Sequence, residues 1–170
     1  SVVITGDSTG IGAACALALD KLGYRVFAGV RNPLDGERLQ QQAGPRLMPI
    51  RLDVTDPASI SAASHTVAAM VGEYGLAGLL NNAGIGVAGP IELLPLADWR
   101  RQFEVNVIGL IAVTQTFLPL IRKGRGRIIN MGSIAGRASM PFMAPYAASK
   151  HALEAITDAL RLELQPWSIR

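Results

Sequence analysis

The run Val2-Val3-Ile4-Thr5-Gly6-Asp7-Ser8-Thr9-Gly10-Ile11-Gly12 decides how this 170-residue chain folds. Its first residues are apolar without alternation, as in a strand covered on both faces. A glycine-rich turn follows, then an apolar helical pattern over 11–22 that stops at Gly23. In such a strand–turn–helix unit a dinucleotide pyrophosphate meets a helix N-terminus. Gly6 permits a tight exit from the strand, Gly10 lets backbone approach phosphate, and Gly12 lets the helix pack on the strand. Ser8 and Thr9 can donate hydrogen bonds. Three glycines also suit an ordinary turn. Their place at the head of an alternating pattern favours the nucleotide.

The alternation continues outward from that turn. Strand patterns occupy 25–30, 46–52, 78–81 and 127–131. Helical patterns occupy 34–43, 57–74, 98–118 (ending near Pro119) and 146–164. Asp56 before Pro57 makes a good helix N-cap. Short links between alternating elements demand parallel strands and right-handed crossovers. The expected fold is therefore α/β: a doubly wound parallel sheet of three layers, one domain over 1–170.

Bulk composition narrows the function. Apolar residues are 49% and charged residues 17%, which indicates a globular chain. The net charge of +3 and the basic run at 122–127, without interleaved aromatics, indicate a solvated turn and no nucleic-acid partner. Cys15 alone cannot form an intrachain disulfide, and a buried thiol in a cytoplasmic protein is the expectation. The most apolar stretch, 105–121, contains Asn106, Thr114, Gln115 and Thr116, so it reads as a buried helix and not a membrane span. Two His and one Cys supply no zinc set, so no metal is expected.

Cofactor choice is read at the end of the second strand. An acidic residue there would bind the adenosine ribose 2′-hydroxyl and favour NAD(H). Here Val30 takes that place and Arg31 follows, able to pair with a 2′-phosphate. The reading is NADP(H) preferred, with NAD(H) possible; an exposed loop arginine is the alternative. Asp53, after strand three, is a candidate partner for the adenine amino group.

The chemistry is read from Tyr146-Ala-Ala-Ser-Lys150. Tyr and Lys at i and i+4 share one helical face. An ammonium near a phenol favours phenolate, so the phenol can exchange a proton with a carbonyl or alcohol oxygen. Lys150 can also bond the nicotinamide ribose. The pair is common on helix surfaces, and context gives it weight. Strand five ends in Asn130-Met131-Gly132-Ser133, at the sheet edge where ligands bind in such folds. Ser133 could hold the substrate oxygen. Asn106 is either a buried, backbone-bonded side chain or the anchor of a relay water. Met140, Phe142 and Met143 either line an apolar pocket or pack their loop.

With these pieces in place, the sequence resembles the short-chain dehydrogenase/reductase family. The matches are TGDSTGIG (5–12), DVTD (53–56), NNAG (81–84), VN within VNVIG (105–109), GSIAG (132–136) and YAASK (146–150), in family order. The resemblance implies a tetrad of Asn106, Ser133, Tyr146 and Lys150. Within it Tyr is the general acid/base, Ser orients the substrate, Lys holds the ribose and Asn stabilises a water. It implies cofactor contacts at Gly6, Ser8, Ile11, Arg31, Asp53, Val54, Asn82, Ala83 and Gly84. Stretches such as RLDVTD (51–56) and SIAGRASMPF (133–142) are most similar to retinol and hydroxysteroid dehydrogenases, which implies a small hydrophobic alcohol or carbonyl substrate. Family members often pair their long helices between subunits, so a homodimer or homotetramer is expected.

Two departures stand out. Family members continue past the last helix, so the chain is expected to be incomplete at its C-terminal edge, leaving strand five as an uncovered apolar edge. Asp7 is acidic beside a phosphate site; it must point away or it will weaken NADP binding. Two other readings stay open: a nucleotide sensor without catalysis, and a sugar-nucleotide epimerase. The first has no need of Tyr146 and Lys150; the second usually carries a different glycine spacing.

Overall fold

In the computed structural model, which describes residues 1–169, the opening run forms β1 (Val2–Thr5) and α1 (Gly10–Lys21). There follow β2 (Val26–Val30), α2 (Pro33–Gln40), β3 (Leu47–Arg51), α3 (Pro57–Val71) and β4 (Gly78–Asn81). The chain then forms α4 (Leu96–Phe103), a π-helical turn (Glu104–Gly109), α5 (Leu110–Gly124), β5 (Arg127–Asn130) and α6 (Ala144–Glu163). The strands form one parallel sheet in the order β3-β2-β1-β4-β5. The winding reverses at β1, so the crevice between the carboxyl ends of β1 and β4 is the switch point where ligands sit in such sheets.

Side-chain alternation along the strands builds the three layers. Val3, Phe27 and Leu79 face a core that includes Val67 of α3 and Phe117 and Ile121 of α5. Val2, Ile4, Val26, Ala28 and Leu80 face the other way, onto Ala16 of α1 and Leu39 of α2. Each large apolar side chain so buried contributes roughly 1.5–3 kcal/mol. This double coverage is why β1 and β2 read as unbroken apolar runs.

Helix ends follow local chemistry. Gly23 takes φ +89, and the Tyr24 N–H donates to the Leu19 carbonyl at 3.0 Å, closing α1 where the glycine signalled. Asp56 Oδ1 accepts the Ala58 N–H at 2.9 Å, capping α3 with Pro57 at its first position.

Most boundaries fall within a few residues of expectation, and one differs for a physical reason. The long helix does not end near Pro119. Together α4, the π turn and α5 make one helix, Leu96–Gly124, which ends at Arg125 in the left-handed conformation with φ +47. Proline inside a helix costs about 3 kcal/mol. Phe117 and Ile121, both fully buried on either side of it, offset that cost by anchoring the last turns to the sheet. By length and mean hydropathy (1.6 over its most apolar 18 residues) this helix is also long and apolar enough to cross a membrane. Its Val113, Phe117 and Ile121 pack instead into the core beneath the sheet. β5 forms the sheet edge, with Ile129 55% exposed.

Candidate active site

A cleft of about 700 Å³ opens at the switch point. Gly6, Ser8, Thr9 and Ile11 line it from the β1–α1 turn. Arg31, Asp53 and Val54 line it from the ends of β2 and β3, and Asn82, Ala83 and Gly84 from the loop after β4. Gly10 and Gly12 shape the turn without lining the cleft. Gly10 has φ +64, which L side chains rarely adopt. A Cβ on Gly12 would lie 2.5 Å from both Asn82 Nδ2 and the Gly6 carbonyl oxygen, so only glycine lets α1 start this close to the strand ends.

A polar clamp holds the turn. Thr5 Oγ1 accepts the N–H groups of Asn82 and Ala83, each at 3.0 Å. Asn82 Nδ2 donates back to the carbonyls of Thr5 and Gly6, also at 3.0 Å. The end of β1 and the loop after β4 are thereby locked together beside the cleft.

Asp7 points away from the cleft. It is fully buried, and Oδ2 accepts the Gly29 N–H at 2.9 Å. Oδ1 has no partner among the described residues. Burial pushes the carboxyl up to about 8, only partly opposed by the Gly29 bond. Asp7 is therefore mostly neutral at pH 7 and adds little charge beneath the phosphate turn.

At the far wall, Val30 is buried while Arg31 is exposed into the cleft. Asp53 Oδ1 accepts the Thr55 N–H at 2.9 Å and its hydroxyl at 2.8 Å. Burial alone would raise the Asp53 pKa. The Thr55 bonds and the Arg31 and Arg51 charges outweigh it, so the carboxyl is held below its usual range and stays ionised.

None of the four proposed reacting groups, Asn106, Ser133, Tyr146 and Lys150, lines that cleft; each is placed by its own contacts. Lys150 is buried; its Nζ lies 5.8 Å from the Tyr146 ring centroid and donates to the Met131 carbonyl at 2.6 Å. Desolvation lowers its pKa. Ser133 Oγ accepts the Ala135 N–H at 3.1 Å, starting the 3-10 turn Ile134–Gly136 and leaving its own proton to donate. Asn106 sits in the π turn, a feature concentrated at functional sites. Its Oδ1 accepts the Ile85 N–H at 2.9 Å, and its Nδ2 donates to the Ile85 carbonyl at 3.0 Å and Ser149 Oγ at 3.1 Å.

Met140 and Phe142 line an open groove of about 560 Å³ with Ile91, Ala148 and His151; Met143 does not line it. Phe142 has φ +65, a strained value for an aromatic residue, and its carbonyl accepts the Gly89 N–H at 2.7 Å. Three residues brace the site in ways their sequence positions do not reveal: Thr5, Gln102 and Ser149. Thr5 lay in the quoted turn, and Gln102 stands one helical turn before Asn106. Neither spacing alone separates a buried brace from a surface polar residue.

A parallel sheet that reverses at a glycine turn, with a cleft over the reversal, is the doubly wound α/β architecture whose ligands sit at the carboxyl ends of the strands. The chain belongs to the short-chain dehydrogenase family, which it matches over residues 1–170. It is 41% identical over 173 residues to human 17-beta-hydroxysteroid dehydrogenase type 2, covering 100% of this chain and 45% of that protein. It is 41% identical over 170 residues to mouse retinol dehydrogenase 5, covering 99% and 53%. A solved structure described as ElxO with NADP bound superposes with a TM-score of 0.92 at 26% identity, covering 99% of this chain and 69% of that one. The chain thus spans about half the length of the curated relatives it matches.

Proposed function

We propose that the protein transfers a hydride between NADP(H) and a small, hydrophobic secondary alcohol or ketone, with Tyr146 as general acid/base. The observation that carries this is the buried Lys150 ammonium, fixed by the Met131 carbonyl and 5.8 Å from the Tyr146 ring, at the carboxyl edge of the sheet. When bound, the nicotinamide supplies or takes the hydride. The chain's own residues do the rest.

The glycine turn, Ser8, Thr9 and Ile11 hold the pyrophosphate at the N-terminus of α1. Asp7, turned to the Gly29 N–H and raised to about 8 by burial, adds little negative charge beside the phosphate. Asn82, Ala83, Gly84 and Val54 form the adenosine walls, and ionised Asp53 accepts the adenine amino group. Arg31, with no carboxylate at position 30, pairs with a 2′-phosphate, which is the basis for preferring NADP(H) over NAD(H). Ser133 donates to the substrate oxygen and so orients it for Tyr146. Lys150 binds the ribose. Asn106 Oδ1 keeps a second lone pair for a relay water. The groove lined by Ile91, Met140 and Phe142 suits an apolar substrate. Retinol and 17-beta-hydroxysteroid dehydrogenases among the relatives point the same way. The working form is a cytoplasmic homodimer or homotetramer paired through its long helices.

The test is NADPH oxidation against a panel of ketones, with native protein and Tyr146→Phe side by side. The reading predicts a loss of at least a hundredfold in kcat for the variant. Equal rates would favour a nucleotide sensor, and NAD(H) copurifying tightly would favour an epimerase.

A further inference from the structure

The β4–α4 loop passes the Tyr146 ring at Gly86, whose Cβ, if it had one, would lie 3.8 Å from Tyr146 Cδ2. That loop is held on both sides of Gly86 by one side chain. Gln102 Oε1 accepts the Val87 N–H at 2.7 Å, and Gln102 Nε2 donates to the Ile85 carbonyl at 2.8 Å. Gln102 is fully buried, as is Ser149, whose Oγ lies 3.4 Å from Gln102 Nε2. The Ser149 hydroxyl donates to the carbonyl of Tyr146 itself at 2.7 Å. One buried network therefore ties the loop in front of the phenol to the backbone that carries it.

A fully satisfied buried amide with partners on two separate elements is a rigid tie. Gln102 and Asn106 stand four apart on one helical face, so both amides reach the same loop. Both amides also donate to Ser149 Oγ, but within the loop Asn106 grips Ile85 alone, whereas Gln102 spans Ile85 and Val87 and so fixes the segment that abuts the ring.

We infer that Gln102, acting through the 85–87 loop and Ser149, is a positioning residue that sets where the Tyr146 hydroxyl meets the substrate. This rests on the reading of Tyr146 as acid/base. Misplacing a reacting group by about 1 Å can lower turnover a hundredfold without changing what binds.

The test compares Gln102→Leu, Gln102→Glu and Tyr146→Phe in the whole protein. It measures kcat and KM for ketone reduction, NADPH affinity by fluorescence, and thermal stability. Gln102→Leu removes both grips and lowers kcat at least tenfold, while the NADPH dissociation constant changes less than threefold. Gln102→Glu adds a discriminating signature. A neutral carboxyl can accept from Val87 and donate to Ile85, as the amide does, whereas a carboxylate cannot donate. Its kcat recovers toward native as pH falls, giving a limb absent from the native profile.

Native kcat in folded Gln102→Leu overturns the inference, as does a loss of NADPH affinity matching the loss of kcat. If Gln102→Leu does not fold, Gln102→Glu decides: a pH profile parallel to native overturns the inference. Native turnover in Tyr146→Phe would instead overturn the functional reading, and this inference with it. Loss in Tyr146→Phe with native Gln102 variants overturns the positioning role alone.

Discussion

Replacing Asp7 with Asn should make the fold more stable at pH 8 and remove much of its loss of stability with rising pH. Asp7 is fully buried, one oxygen is held by Gly29, and the carboxyl is raised from 3.8 to about 8. In the unfolded chain it returns to its ordinary value. Between those two values the folded state keeps a proton that the unfolded state has released. More protons are bound in the folded state, so stability falls as pH rises, by about 1.4 kcal/mol per pH unit. Over the whole interval that amounts to roughly 6 kcal/mol, with no further change above the folded value. Asn carries no charge, accepts the Gly29 N–H as the acid does, and does not titrate. The two proteins should agree within about 1 kcal/mol near pH 4 and diverge steadily toward pH 8. For a chain of this size each 1 kcal/mol is about 2–4 °C in Tm. Melts of both proteins from pH 4.5 to 9 measure the divergence. Parallel curves, or an Asp7 protein more stable than the variant at pH 8, would refute the placement of a buried, unpaired oxygen beneath the turn.

Other substitutions test other parts of the site. Arg31→Ala should weaken NADPH about ten- to a hundredfold, the loss of a charge-assisted bond, and NADH less than threefold; calorimetric titration with both cofactors decides, and equal losses would remove Arg31 as the 2′-phosphate partner. Thr5→Val keeps the shape but strands the N–H groups of Asn82 and Ala83, and should cost about 1–3 kcal/mol in urea unfolding. An unchanged midpoint would show that the clamp is not needed. Lys150→Met should abolish turnover. Burial lowers the Lys150 pKa below 10.5, so in the alkaline window the unfolded chain holds the extra proton and native stability rises with pH. The Met variant should lack that rise in melts run up to pH 10.5.

Much of this architecture could be read before any coordinates, for reasons particular residues make plain. β1 declares itself because Val2, Val3 and Ile4 are covered on both faces and tolerate no polar alternation. Gly10 and Gly12 are legible because backbone conformation and close approach exclude other residues there. Asp56-Pro57 marks its helix start through local bonds alone. What stayed hidden depends on distant partners. Gln102 has the polarity of a surface helix residue, and only the fold brings Ile85 and Val87 to it. Pro119 carries a local stop signal that the burial of Phe117 and Ile121 overrides. Asp7 is a conspicuous acid in a phosphate motif, yet its orientation follows from the end of β2, 22 residues along the chain.

The π turn at Glu104–Gly109 sets a limit on how this chain can vary. Bonding i to i+5 spends one residue more per turn than an α-helix does. Deleting a single residue there would yield a straighter, locally better helix, and length variants of that kind should be tolerated by helix energetics alone. Yet each residue advances a helix by about 100°. Because the wide turn already absorbs the extra residue, the deletion would leave the helix on either side near its present phase but turn Asn106 about the axis relative to Gln102. Insertions and deletions within 102–109 should therefore be barred by the register between those two amides, even where the helix itself would welcome them.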